Sequence, residues 1–417
     1  MTATVRAILP RCYRLFLVAI AVALAAAPLA GRSPTEELKA ALSVSGTANI
    51  SEAGFARIAL SRQDAKIAAD MLLDYAVQQR SIMRSTALNT GKFTHDGYEM
   101  PFKLSATGIP APGGRSLYIS LHGGGNTAAE RNDGQWRNQM RLYAPAEGVY
   151  FVPRAAVNDW NMWFQPHIDA LFDMAIETAV TELGVNPDKV YLFGYSAGGD
   201  GVYRLAPRLA DRWAAASMMA GHPGDVSPLN LRNTPFMIWM GANDSAYSRN
   251  AEAAKFGERL DALSRADTEG YRHETRIVAG KAHWMERVDT AALPWMAQFA
   301  RNPLPSKIVW RQDDVPHSSF YWLSVPEGEA KQGRLAVVER KIEQDSNTFI
   351  VHYNDYESLT IGVNDEMIDF DKPVKIISGG RIVFDEKLKR TIADISESVG
   401  RRRDKRLIFS AHVTIKN

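Results

Sequence analysis

A serine in a glycine frame, Gly194-Tyr195-Ser196-Ala197-Gly198-Gly199, closes the apolar run Val190-Tyr191-Leu192-Phe193. The run favours a β-strand and the residues beyond the glycines read as a helix, so Ser196 stands at a tight strand-to-helix turn. Glycines at 194 and 198 remove the side chains that would collide in such a turn. The Ser196 hydroxyl is then pushed out above the sheet, at the helix N-terminus. At neutral pH a hydroxyl is a poor nucleophile. It needs a base within hydrogen-bond reach and a carboxylate to orient that base; nine histidines are present to supply the first. A second glycine stretch, His122-Gly123-Gly124-Gly125-Asn126, follows directly on an apolar strand at 116–121. Glycines there allow backbone N–H groups to point inward unobstructed, as stabilisation of an oxyanion requires. The donor within Gly123, Gly124 and Gly125 stays open on this reading.

These loops, in this order, resemble those of the α/β-hydrolase superfamily over about half of the chain. The Gly-x-Ser-x-Gly turn resembles its nucleophile elbow, and His122-Gly123-Gly124-Gly125 with the Gly-x-Ser-Ala-Gly-Gly run resembles the hormone-sensitive-lipase-like esterases. The resemblance implies an α/β fold with a doubly wound, mostly parallel sheet, and an oxyanion hole in which the Ala197 N–H joins Gly123 or Gly124. It also implies the chain order serine, acid, histidine. His95, His122 and His167 then come too early, His222 precedes the best acid, and His273 opens the last core strand. His317, His352 and His412 lie beyond the core. His283, in a Gly-x-x-His-Trp ending, is the base that this order implies. Asp244, in a Gly-x-x-Asp turn just after a strand, is the implied acid, with Asp225 one strand earlier as runner-up.

The implied activity is hydrolysis of carboxylic esters, small or polymeric, through an acyl-enzyme and without a cofactor. The Gly-x-x-His-Trp ending is more similar to secreted polyester depolymerases, feruloyl esterases and dienelactone-hydrolase-like enzymes, and there is little room for a lipase-type cap. A peptidase or amidase would use the same residues, although the propeller of prolyl-oligopeptidase-type enzymes is absent. A binding protein on a relic hydrolase fold is the third reading.

The elements that must position these residues follow from the patterning. Strands are expected at 98–104, 116–121, 149–153, 213–219, 235–241 and 273–278, with helices at 135–146, 167–183, 255–265 and 293–300. The loop Asn158-Asp159-Trp160-Asn161-Met162-Trp163-Phe164-Gln165-Pro166 leaves the C-terminal end of a strand, the side where α/β sheets build sites. Trp160, Trp163 and Phe164, with Tyr195 beside the serine, are therefore candidate substrate contacts.

A length of 417 residues predicts two or three domains. Residues 1–30 carry Arg6, Arg11 and Arg14 before an apolar stretch at 15–27 and small residues after it, the order of an export signal. That stretch is short for a membrane span, although an uncleaved anchor stays open, and a periplasmic or secreted location is expected. Residues 31–89 read as helical, with Ser61 and Asp64 capping a helix that packs on the catalytic domain at 90–305. Residues 306–417 carry closely spaced β-rich runs, a small all-β sandwich with a hairpin at Ser378-Gly379-Gly380. Phe320-Tyr321-Trp322-Leu323 should lie in one of its strands, alternate rings facing the sandwich core and the others an interdomain contact. The basic run at 401–406 reads as a solvated turn.

With 46% hydrophobic and 23% charged residues the chain is of the soluble globular type, and a net charge of +2 without a basic stripe argues against nucleic acid. The one cysteine, Cys12, lies in the leader, so thiol chemistry and disulfides are not expected. The sequence holds no His-Glu-x-x-His, no P-loop Lys-Ser/Thr and no Gly-x-Gly-x-x-Gly opening the domain, so neither a metal nor a nucleotide is implied.

Overall fold

The fold is described from a computed structural model over residues 31–47, 49–341 and 347–416; the leader proposed at 1–30 lies outside the described residues. Three helices open it: α1 (Pro34–Ser45), α2 (Arg62–Gln79) and α3 (Ser81–Thr90). The Ser61 hydroxyl accepts the Asp64 N–H at the start of α2, the expected cap.

Eight strands form one sheet: β1 (Lys92–His95), β2 (Tyr98–Thr107), β3 (Arg115–Leu121), β4 (Gly148–Pro153), β5 (Val185–Tyr195), β6 (Ala215–Met219), β7 (Phe236–Gly241) and β8 (His273–Val278). Their spatial order is β1-β2-β4-β3-β5-β6-β7-β8. β1 and β2 run antiparallel to their neighbours, and all pairs from β4 to β8 are parallel. This is a doubly wound, mostly parallel sheet, as the sequence implied. β4, β6 and β7 are buried along their whole length, because parallel strands covered on both faces must be apolar throughout. Alternation sorts the residues between two layers. Leu117, Ile119 and Leu121 face α5 (Pro166–Glu182), α6 (Ala197–Arg208) and α7 (Arg249–Ala266), while Tyr118 faces α4 (Ala129–Leu142) and the short α8 (Ala292–Met296).

Beyond the sheet, β9 (Lys307–Arg311), β10 (Ser319–Phe320), β11 (Leu323–Ser324), β12 (Leu335–Arg340), β13 (Thr348–Asn354), β14 (Ser358–Val363), β15 (Val374–Ser378), β16 (Arg381–Glu386) and β17 (Ala411–Lys416) make two sheets. Their orders are β10-β11-β14-β17 and β16-β15-β13-β12-β9, and one apolar core joins them. Gly379 and Gly380 both take positive φ in the β15–β16 hairpin, which glycine tolerates without penalty.

Four local expectations are corrected. A helix, α9 (Ile392–Arg401), interrupts the β-rich region, capped by Thr391 and presenting Ile392, Ile395 and Val399 on one face. That face buries against Leu38, Ala65, Ala68 and Leu72, so α1 and α2 pack on the C-terminal region, and of the three opening helices α3 is the one that reaches the core of the eight-stranded sheet, through Ala87. Residues 319–324 turn back at Tyr321–Trp322 as a hairpin, and all of Phe320, Tyr321, Trp322 and Leu323 are buried. The turn sends Tyr321 to the domain of the eight-stranded sheet, where its hydroxyl donates to the Ala210 carbonyl and its N–H to Asp211. The basic run is not a solvated turn: Arg402 pairs with buried Asp211 (2.7 Å), Arg403 with Glu177 (2.9 Å) and Arg406 with Asp188 (3.1 Å). Long cationic side chains reach carboxylates of the neighbouring domain, which a one-dimensional reading of a charge cluster does not reveal. Among the described residues no helix is long and apolar enough to cross a membrane.

Candidate active site

β5 delivers Ser196 to the first turn of α6 with φ 58° and ψ −122°, a strained backbone for a residue with a side chain. The strain is held by two fixed contacts: the Ser196 N–H donates to the Met219 carbonyl (2.9 Å), and its carbonyl accepts the Asp200 N–H (3.0 Å). The flanking glycines have a measurable cause. A Cβ on Gly198 would lie 2.2 Å from the Leu121 carbonyl oxygen, and one on Gly194 would lie 2.5 Å from that of Gly198.

β7 ends at Gly241, and the turn after it buries Asp244, whose N–H donates back to the Gly241 carbonyl (3.1 Å). β8 leads to the loop that carries His283. Tyr195 fixes this loop: its hydroxyl donates to the His283 carbonyl (2.5 Å) and accepts the Met285 N–H (3.0 Å). The three side chains meet. His283 Nδ1 lies 2.7 Å from Asp244 Oδ2, and Nε2 lies 3.0 Å from Ser196 Oγ. The carboxylate only accepts, so Nδ1 carries the proton and Nε2 is left to accept the serine hydroxyl. Arg249 stands 3.5 Å from the other Asp244 oxygen. Asp225, the alternative acid, is 80% exposed and paired with Arg204 on the rim.

The glycine loop after β3 is clamped from three sides. His122 is fully buried, donates from Nδ1 to the Gly123 carbonyl (2.6 Å) and accepts the Ala155 N–H at Nε2 (3.2 Å). Burial lowers its pKa to about 3, so it is a neutral strut and not a base. Trp163 Nε1 donates to the His122 carbonyl (2.8 Å), and Asn132 Oδ1 accepts the Gly125 N–H (2.8 Å). The Gly125 N–H is thus engaged by Asn132 and is not available to a ligand. A Cβ on Gly123 would lie 3.2 Å from that of Ser196, so the loop passes directly over the nucleophile.

Ser196 and Ala197 open onto a cleft of about 450 Å³ lined also by Gly124, Trp160, Phe164, Asp200, Arg204, His222, Tyr247 and Arg249. Trp160 and Phe164 therefore sit where substrate contacts were expected. Trp163 and Tyr195 do not: Trp163 is fully buried under the glycine loop, and Tyr195 holds the histidine loop from below. Both rings carry a polar atom with a backbone partner, and that draws them inward. Sequence reasoning missed Asn132, Asp200, Arg204, His222, Tyr247 and Arg249. Asp200 and Arg204 lie on α6, His222 and Tyr247 on loops leaving strand C-termini, and Arg249 opens α7, a signal that was available; Asn132 offered none. Burial raises the pKa of Asp200, which accepts the His222 N–H (2.6 Å).

One group of possible metal ligands is found among the described residues, Asp394, Glu397 and His412, far along the chain from Ser196. His412 bonds Asp394 (2.9 Å) and Glu397 pairs with Arg401 (2.6 Å), and these internal partners account for the cluster.

No family model matches the chain. A protein of Nocardia uniformis subsp. tsuyamanensis described as "Putative esterase NocK" is 32% identical over 144 residues, covering 32% of this chain and 42% of that one. The chain thus spans less than half the length of this curated relative. Solved structures to which the chain is similar include a thermostable esterase (TM-score 0.37, 18% identity, 50% of this chain and 62% of the other). A ferulic acid esterase (0.37, 17%, 50% and 96%) and an esterase of Thermogutta terrifontis with bound propionate (0.35, 19%, 49% and 88%) are also similar.

Proposed function

We propose that this chain is a serine hydrolase that cleaves carboxylic esters through an acyl-enzyme. The observation that carries the reading is the relay from Ser196 Oγ to His283 Nε2 (3.0 Å) and from His283 Nδ1 to Asp244 Oδ2 (2.7 Å), beside a glycine loop and an open cleft. In this reading Ser196 Oγ attacks the ester carbonyl while His283 Nε2 takes its proton. Asp244 stabilises the imidazolium, and the N–H groups of Ala197 and of Gly123 or Gly124 receive the oxyanion. Collapse expels the alcohol, which leaves with the proton from His283. Water then repeats the sequence on the acyl-enzyme and releases the carboxylic acid and Ser196. The sequence likeness to a protein described as an esterase supports esters as the substrate class. The order of charge, apolar stretch and small residues in 1–30 supports export of the mature chain.

A panel of p-nitrophenyl esters against matched anilides, run on the mature protein and on Ser196→Ala, tests the reading. Ester turnover that disappears in Ser196→Ala is expected. Anilide turnover exceeding ester turnover, or ester turnover unchanged in Ser196→Ala, overturns it.

A further inference from the structure

Asp200 and His222 line the same cleft as Ser196, and the acyl-enzyme mechanism uses neither. Asp200 lies one turn into α6, where its N–H donates to the Ser196 carbonyl (3.0 Å). Its Oδ1 accepts the His222 N–H (2.6 Å). The His222 ring accepts the Gly224 N–H at Nδ1 (2.9 Å), so the ring proton stands on Nε2. Among the described residues Asp200 Oδ2 and His222 Nε2 have no hydrogen-bond partner, and neither atom is sealed from solvent. An acceptor and a donor are thus left open on two neighbouring residues of the cleft wall. We propose that they form a subsite for a hydroxyl of the substrate, which donates to Asp200 Oδ2 and accepts from His222 Nε2–H, so that esters carrying a hydroxyl near the scissile bond are preferred.

The inference rests on the hydrolase reading, and the packing fixes the two residues together. The first turn of α6 and the loop after β6 meet through glycines. A Cβ on Gly199 would lie 2.6 Å from the Met219 carbonyl oxygen and 2.9 Å from Gly221 Cα. Ala220, next to Gly221, holds φ 52°, strain that persists only where the surroundings impose it. His222 is thereby carried to Asp200. Accepting the His222 N–H takes one oxygen, which an asparagine would supply as well. The second oxygen belongs to a carboxylate whose pKa burial pushes up, against the opposing effects of the His222 N–H, Arg249, the His222 ring and His283. Arg249 forms its ion pair with Asp244 (3.5 Å). A largely buried carboxylate oxygen without a donor is costly, and a ligand that brings the donor removes that cost. A hydroxyl suits both open atoms. An ammonium would leave the Nε2–H unmet, and a carboxylate would face Asp200.

The test compares kcat/KM on esters that differ by a hydroxyl against a methyl. In the acyl arm, ethyl 2-hydroxybutyrate and 3-hydroxybutyrate are set against ethyl 2-methylbutyrate and 3-methylbutyrate, each chiral ester as both enantiomers. In the alcohol arm, 2-hydroxyethyl butyrate is set against propyl butyrate. Each ratio is divided by that of alkaline hydrolysis, which removes the inductive effect of the hydroxyl. The corrected wild-type ratio should reach about tenfold or more in one arm, as a hydrogen bond to a charged group implies, and that arm locates the hydroxyl. Asp200→Asn keeps an oxygen for the His222 N–H and replaces the second by a donor, so it should bring the ratio towards one by slowing the hydroxy ester. His222→Ala should lower the ratio too, and Tyr353→Ala, an exposed ring of the β-domain, should leave it unchanged. Corrected wild-type ratios near one in both arms, a ratio unchanged in either site variant, or an Asp200→Asn loss equal on hydroxy and methyl esters overturns the proposal. A small alkyl fluorophosphonate separates the two readings. If it fails to label Ser196 in the wild type, the hydrolase assignment falls and the subsite with it, whereas labelling with corrected ratios near one removes only the subsite.

Discussion

Arg208 joins the nucleophile helix to the β-domain, and its removal tests how the two are coupled. It is the last residue of α6, the helix that begins immediately after Ser196, and its side chain is 1% exposed. It donates to Asp169 Oδ1 on α5 (2.5 Å), to the Phe164 carbonyl in the cleft wall (3.0 Å) and to Asp314 Oδ1 of the β-domain (3.0 Å). Asp169 is buried too, and its second oxygen is held by His317 of the β-domain at 2.8 Å. Arg208→Ala would strand Asp169 with one partner. Breaking a buried pair costs about 3–5 kcal/mol, and the surviving His317 contact points to the lower end, about 3 kcal/mol. Asp314 is 32% exposed and adds at most about 1 kcal/mol. Against a total stability of about 5–15 kcal/mol this is a large loss. Urea unfolding followed by tryptophan fluorescence reads it, together with the Arg208→Ala/Asp169→Asn cycle, whose double variant should lose clearly less than the sum of the singles. A loss below about 1 kcal/mol, or strict additivity, would refute the claim that this buried pair fastens α6.

The same geometry makes further predictions. Asp244→Asn should lower kcat on an ester by about 10⁴ by analogy with other triads, while Asp225→Asn, at the exposed rim, should change it by less than about tenfold; the reverse order would move the acid to the other loop. Gly198→Ala forces a Cβ to within 2.2 Å of a backbone oxygen, so it should cost about 3 kcal/mol or more, read as a fall in the urea midpoint. An unchanged midpoint would mean that the elbow is not tightly packed. Asp267, on the domain of the eight-stranded sheet, is held at a pKa of about 2 by its hydrogen bond to Arg232, against the opposing effect of burial, and by Lys307 on β9. A depressed carboxyl pKa contributes stability above its unfolded value near 4 and loses it as pH falls towards 2, here about 2 kcal/mol. Asp267→Asn should therefore flatten the acid limb of the stability profile between pH 4 and 2; an identical limb in both proteins would discount the pair.

Much of the site was legible because its parts are local. Ser196 and Asp244 each follow an apolar strand at its C-terminal end, His283 follows the more polar edge strand β8, and all three lie in short glycine-bearing turns whose signals survive in one dimension. The sheet was legible for the same reason, in the apolar runs of β3 to β7. What escaped depends on where side chains go after folding. Trp163 and Trp160 sit three residues apart in one aromatic loop, yet one lies under the glycine loop with a carbonyl for its indole N–H and the other stands in solvent. Nothing in their spacing separates them. The helix α9 carried a readable cap and an apolar stripe at 392, 395 and 399, but it was hidden by the β-rich texture around it. The basic run at 401–406 could not be read as interdomain pairing, since its partners Asp188, Asp211 and Glu177 lie 191 to 226 residues away along the chain.

The central claim, that Ser196 is an activated nucleophile driven by His283 and Asp244, is tested most directly by the mass of the protein after exposure to a fluorophosphonate, with the modified peptide mapped. One adduct on the peptide containing Ser196 is predicted, lost in Ser196→Ala and slowed by orders of magnitude in His283→Ala. No adduct on folded protein, or an adduct that persists in Ser196→Ala, would contradict the account.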